Sequence, residues 1–195
     1  MSKPAQQSEE HPLPPFLPKN ARLIMLGSFP PPRAKWSMDF FYPNFINDMW
    51  RIFGTVFYEN KDHFLLSGQK KFDKQKIVDF LNAKGIALYD AARVVRRLQG
   101  NASDKFLEIV EPADLKGILK KIPQCTAICV TGQKSLETVL TIFAAAEPKV
   151  GEFTEFEFDN RKMRLWRMPS SSRAYPLPLT EKATVYKKML KSLFL

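Results

Sequence analysis

Cysteine and histidine are nearly absent from this chain, with two of each in 195 residues. His11 and His63 sit in unrelated segments, so no four-ligand zinc site or iron–sulfur cluster can be assembled from the set. Cys125 and Cys129 flank Thr-Ala-Ile in an apolar run that reads as a buried strand. Residues four apart on a strand share a face about 13 Å apart, too far for a disulfide. They read as structural thiols, with a cysteine nucleophile the minor alternative. No stretch matches a Walker A loop, a dinucleotide fingerprint or a Gly-x-Ser-x-Gly elbow. No apolar run approaches the roughly 20 residues that span a membrane. The N-terminus is polar and proline-rich without an apolar h-region, so secretion is not signalled and a cytoplasmic location is expected. Acidic residues are also outnumbered, 20 Asp and Glu against 30 Lys and Arg, which leaves a net charge of +10. That excess fits a solvated basic surface or a polyanionic partner; charge alone does not choose among nucleic acid, nucleotide and anionic lipid.

What the chain does have is a core. Its 45% hydrophobic content and its length suit one compact domain. Residues 1–20 carry Pro4, Pro12, Pro14, Pro15 and Pro18 and few core-forming side chains. Such a segment favours extended structure, either as an arm on the domain or as a tail. The domain is placed at residues 21–195, and a monomer is expected.

Arg22–Leu26 reads as a first strand, ended by Gly27. Asn47 to about Phe57 has helical spacing of Met49, Trp50, Phe53, Val56 and Phe57, with Asn44 as candidate N-cap. Residues 59–72 are polar and irregular. Asp73 caps a helix to about Ala83 that Gly85 stops. The second strand is Ile86–Asp90, followed by the Arg93, Arg96 and Arg97 cluster, which reads as surface, and a turn over Gly100–Asp104. Pro112 suits the first position of a short helix reaching Lys121. Ala127–Thr131 is a third strand, leading through Gly132-Gln133 into a helix. Residues 152–168 alternate with period two around Asp159-Asn160, a hairpin signature. Thr180 is the expected cap of a last helix that turns Tyr186, Met189, Leu190 and Leu193 inward. Alternating strands and helices predict an α/β fold, three layers with a central, mostly parallel four-stranded sheet.

Three strand-end loops stand out: Gly27–Arg33, Tyr89–Arg93 and Pro169–Tyr175. In open α/β sheets ligands bind beyond the carboxyl ends of the strands. The first loop has prolines where a phosphate cradle needs glycines. It offers a rigid backbone, planar rings and a few amides and hydroxyls, which suit a flipped nucleobase stacked and read along its polar edge.

Gly27-Ser28-Phe29-Pro30 resembles the first motif of the uracil-DNA glycosylase superfamily, a glycine, two variable residues and a proline. The stretch Tyr42-Pro43-Asn44-Phe45-Ile46-Asn47-Asp48-Met49-Trp50 is similar to the His-Pro-x-Asn-x-Phe-Trp segment of the mismatch-specific and hypoxanthine-DNA glycosylase branches. Gly85-Ile86-Ala87-Leu88-Tyr89-Asp90 is similar to the Gly-Ile-x-Leu-Trp-Asp of the hypoxanthine branch, and Met168-Pro169-Ser170-Ser171-Ser172 resembles the superfamily's second motif. The ordered set covers most of residues 22–193 and implies the same α/β/α fold. Two positions depart. Phe29 stands where several branches have an Asp or Asn that positions water, and Met168 where several have a His or Asn that stabilises the departing base. The hypoxanthine branch is also apolar at both.

The resemblance implies a monofunctional DNA N-glycosylase of base excision repair, acting by base flipping on a deaminated or mismatched base in DNA, without metal or redox cofactor. It points catalysis to Asn47, which could hold water; Asp90, an acid at a strand end where the pocket should lie, could read a base edge or assist the chemistry. Helix-start and turn-capping roles are their plain alternatives. Gly27, Ser28, Phe29, Phe41 and Tyr42 would bind the base, with core packing the rival for the rings. Pro30, Lys134, Ser170, Ser172, Arg173 and Tyr175 would face DNA, the last two as a wedge or as a surface turn. Phe29 and Met168 keep open a catalytically degenerate nucleic-acid-binding relative; a small-molecule nucleoside hydrolase is the third reading.

Overall fold

The computed structural model describes residues 7–98 and 106–194. In chain order the elements are β1 (Ser8–Glu10), β2 (Leu23–Gly27), α1 (Met49–Tyr58), α2 (Lys74–Lys84), β3 (Ile86–Asp90), β4 (Ala92–Arg97) and β5 (Leu107–Pro112). Then follow α3 (Leu115–Lys121), β6 (Ala127–Val130), α4 (Gln133–Ile142), β7 (Glu152–Phe158), β8 (Arg161–Arg167) and α5 (Leu179–Phe194). A 3₁₀ turn, Arg33–Lys35, lies in the loop after β2.

The central sheet runs β3-β2-β6-β8-β7. Its first four strands are parallel, and β7 pairs antiparallel with β8. The expected four-stranded sheet therefore becomes a mixed sheet of five. The extra member comes from the hairpin: Asp159 and Asn160 take φ of 54° and 57°, and this left-handed pair returns the chain with Phe158 opposite Arg161. Every residue of β2, β3 and β6 is buried, so both faces of the sheet are covered. α2 packs against β3, α4 against β6, and α1 against α5.

A second sheet, β1-β4-β5, is antiparallel and has no counterpart in the sequence reading. One residue, Ala91, separates β3 from β4, whose arginines mask the buried Ala92, Val94 and Val95 beside them in sequence. Ala92, Val95 and Leu107 form a small core of their own, packed against Phe29 and Ile109. Arg93 and Arg96 do lie on the surface, paired with Glu111 and Glu108. Arg97 does not: its side chain is only 9% exposed. Pro112 ends β5 opposite Ala92 rather than opening a helix. The helix opens at Leu115, where Asp114 accepts the Gly117 N–H at 3.0 Å. The turn expected over 100–104 lies outside the described residues.

The other caps divide. Asp73 accepts the Lys76 N–H, and Gly85, at φ 70°, closes α2 by donating to the Leu81 carbonyl, both as expected. Asn44 does not cap α1; its side chain accepts the Ile46 N–H inside the preceding loop. Thr180 lies within the first turn of α5 instead of ahead of it. The described part of the segment before β2, from residue 7, lies on the domain: β1 pairs with β4, and Phe16 exchanges two 2.9 Å backbone bonds with Leu88. Cys125 and Cys129 are free and buried. Burial pushes the Cys125 thiol up to about 11 and raises that of Cys129 as well, which suits core packing rather than nucleophilic chemistry.

Candidate active site

Register places the functional candidates in a row. Gly27 at the end of β2 lies opposite Asp90 at the end of β3, and Leu26 opposite Val130 on β6. The backbone ladder then continues past the strands: Thr131 N–H donates to Leu26 O at 3.1 Å, and Met168 N–H to Val130 O at 2.9 Å. Parallel strands thus deliver Asp90, Gly27, Thr131 and the 168–176 loop to one edge of the sheet, where ligands bind in such folds. A cavity of about 700 Å³ opens there, closed on the far side by residues 41–47. That volume suits a small ligand.

Asp90 is the only carboxylate lining the cavity among the described residues. Its Oδ2 is 2.8 Å from Nε2 of His11. Its Oδ1 stands over Gly27, where a β-carbon would come within 2.5 Å of it. Glycine leaves the carboxylate this space, and a side chain here would have to displace it. Tyr42 completes this wall with its hydroxyl 3.3 Å from Thr131 Oγ1. Burial, aided by the charge of Asp90, pushes the Tyr42 pKa far above 10 and keeps the phenol protonated. Tyr42 itself is held at φ 49°, an uncommon conformation for an aromatic residue and one that clusters at functional sites. Phe29 and Phe41 add apolar surface. The Phe29 ring is held by His11 edge-on at 5.3 Å and by the Arg97 guanidinium at 5.6 Å.

The opposite wall is tied together by ion pairs. Asp48 is 4% exposed; its Oδ1 accepts from Arg173 Nε at 3.0 Å and its Oδ2 from Lys182 Nζ at 3.1 Å. Lys182 is fully buried and also donates to Ser172 O, while Asp48 N–H donates to Ser171 O. Ser170 Oγ accepts the Ser172 N–H and Ser172 Oγ the Ala174 N–H, each at 3.2 Å. The hydroxyls shape this loop before any ligand arrives. Tyr186 anchors its base by donating to Pro169 O at 2.8 Å.

The cavity brings together Gly27, Ser28, Phe29, Pro30, Phe41, Tyr42, Asn47, Asp90, Ser170, Ser172, Arg173 and Tyr175. Lys134 is not among its lining residues; it sits in the first turn of α4. Met168 is buried, 1% exposed, and does not line the cavity. Asn47 Oδ1 accepts the Met49 N–H at 2.9 Å, so one of its two lone pairs serves the start of α1. Sequence reasoning missed His11, Asp48, Thr131 and Lys182. Lys182 did carry a signal, four residues before Tyr186 and seven before Met189 on the apolar face of α5. His11, inside a proline-rich arm without periodicity, carried none.

No family model and no curated protein sequence matches the chain. Among solved structures, it is similar to the solution NMR structure of a protein from Methanosarcina acetivorans named "putative Uracil DNA glycosylase". Identity is 21% over 92% of this chain and 95% of that one, with a TM-score of 0.62. The two share a fold. At that identity the likeness speaks for the architecture, an α/β domain of matching extent.

Proposed function

We propose that this chain is a DNA glycosylase-like hydrolase, a monofunctional enzyme that receives a deaminated or mismatched base in the cavity and cleaves its N-glycosidic bond with water. The observation that carries the reading is Asp90, a mostly buried carboxylate at the strand edge of an aromatic-walled cavity, beside a glycine that leaves it room. Cleavage of an N-glycosidic bond builds positive charge on the sugar and negative charge on the leaving base. A fixed carboxylate supports the first and can orient the attacking water. Phe29, Phe41 and Tyr42 supply faces for stacking, and Asn47 an amide toward the water or the base edge. Asp90 is the stronger of the two for water, since an amide is no base and the Asn47 oxygen already accepts from Met49. Lys35 and Arg173 at the cavity, and the net charge of +10, suit a phosphate backbone.

A second reading is favoured by Phe29 and Met168, which put no polar group at two places where several glycosylase branches have one. In that reading the fold binds nucleic acid without cleaving it. The deciding measurement is alkali-induced strand cleavage of oligonucleotides carrying uracil, hypoxanthine, xanthine or mismatched thymine. Excision of at least one lesion, lost in Asp90→Asn, is the expected result. Tight, salt-dependent binding without cleavage supports the binding protein. Hydrolysis of free nucleosides alone supports a small-molecule enzyme.

A further inference from the structure

We propose that the N-terminal arm belongs to the active site, because His11 is the residue that positions Asp90. The inference rests on the glycosylase reading of Asp90. A carboxylate at a strand end can swing about its Cα–Cβ and Cβ–Cγ bonds, and a group that must face the same atom at every turnover needs both oxygens placed. Here the placement comes from two sides. Nε2 of His11 holds Oδ2 at 2.8 Å, and the missing side chain of Gly27 leaves the space in which Oδ1 lies.

The ring that does this is itself fixed. Its side chain is 1% exposed, packed among Phe29, Phe41 and Tyr89 with centroids 5.3, 6.0 and 4.7 Å away. Nδ1 faces both backbone groups of Leu13, the carbonyl at 2.8 Å and the N–H at 3.1 Å. A neutral ring accepts from that N–H and a charged ring donates to that carbonyl. Opposite a carboxylate oxygen, which only accepts, Nε2 is the ring nitrogen that carries the hydrogen and donates it. The arm is tied down on both sides of the ring. His11 N–H donates to Arg93 O, β1 pairs with β4 before it, and Phe16 bridges to Leu88 after it. Arg97 adds a clamp, donating from Nε to Glu9 and from a terminal nitrogen to Pro30 O, which links the arm to the Gly27–Arg33 loop. Leu13, Phe16 and Leu17 pack the arm onto the core. At position 11 itself an apolar aromatic ring would serve packing among Phe29, Phe41 and Tyr89, and only the histidine adds a donor toward Asp90.

That contrast supplies the test, made on a lesion that the wild type excises and Asp90→Asn does not. His11→Phe keeps the packing and removes the donor; His11→Gln restores an N–H donor at the same reach. The expected result is a single-turnover rate about 10- to 100-fold lower in His11→Phe, the size of loss that misplacing a reacting group by about 1 Å brings. Its DNA dissociation constant stays within about twofold, and His11→Gln recovers most of the rate. A His11→Phe protein as fast as wild type, or a Gln variant as slow as the Phe variant, overturns the inference. Wild-type protein that excises nothing overturns the glycosylase reading and this inference with it. Should His11→Phe not fold, ring ¹H–¹⁵N spectra of the two histidines decide the matter. In Asp90→Asn the Nε2 signal of His11 should move while that of His63 stays; an unmoved His11 signal overturns the contact.

Discussion

Two buried aspartates, Asp90 in the lining of the cavity and Asp48 outside it but bonded to Arg173 of the cavity wall, are used in opposite ways. Asp48 is 4% exposed with an oxygen on each of two cations, Arg173 and Lys182. Asp90 is 7% exposed, holds a single imidazole through Oδ2, and lines the cavity. The first is consumed by holding the 168–176 loop against the start of α1. The second keeps part of its hydrogen-bonding capacity for a ligand. Burial alone therefore does not mark a functional acid; what matters is how much of the acceptor is spent within the protein.

The comparison can be broken most forcefully at Asp48. Asp48→Ala leaves Lys182 buried without its counter-charge, and urea unfolding should show a loss of about 3–5 kcal/mol. Asp90→Asn should cost far less stability, under about 1 kcal/mol, yet lower the excision rate about 100-fold or more, near 2.7 kcal/mol of transition-state support. If these two profiles exchange places, the assignment of roles is wrong. Gly27→Ala is next: its new methyl must displace Asp90 Oδ1, so single-turnover excision should fall about tenfold while DNA affinity holds. An unchanged rate would mean that the Oδ1 position is irrelevant. The smallest effect is expected at Arg33, whose pair with Asp39 is 59% and 66% exposed. Arg33→Ala should shift stability by less than about 0.5 kcal/mol, as a screened surface pair does.

Much of this was legible in the residues. The apolar runs at 22–26, 86–90 and 127–131 read as buried strands, the structure forms strands at 23–27, 86–90 and 127–130, and the loops at their ends are where the cavity opens. Asp73 and Gly85 bound α2 through local hydrogen bonding, and Asp159-Asn160 makes a hairpin through local backbone preference. Errors came where local rules competed. Pro112 suits the start of a helix or the end of an edge strand, and pairing with Ala92 decided for the strand. The arginine-rich β4 looked like surface because its charged side chains mask a half-buried strand.

Local chemistry, then, was determined by the chain alone: which runs are apolar at which period, where caps and turns stop them, and that Gly27, Asp90 and the serine loop end parallel strands. Only the tertiary structure decided which distant groups meet. His11 reaches Asp90 across 79 positions, and Lys182 reaches Asp48 across 134. Such pairings leave no periodicity behind, because they depend on how sheets and helices stack rather than on the spacing of neighbours. The opening loop at Gly27 supplies the place for a carboxylate; the arm, distant in sequence but paired with β4 beside it, supplies its orientation.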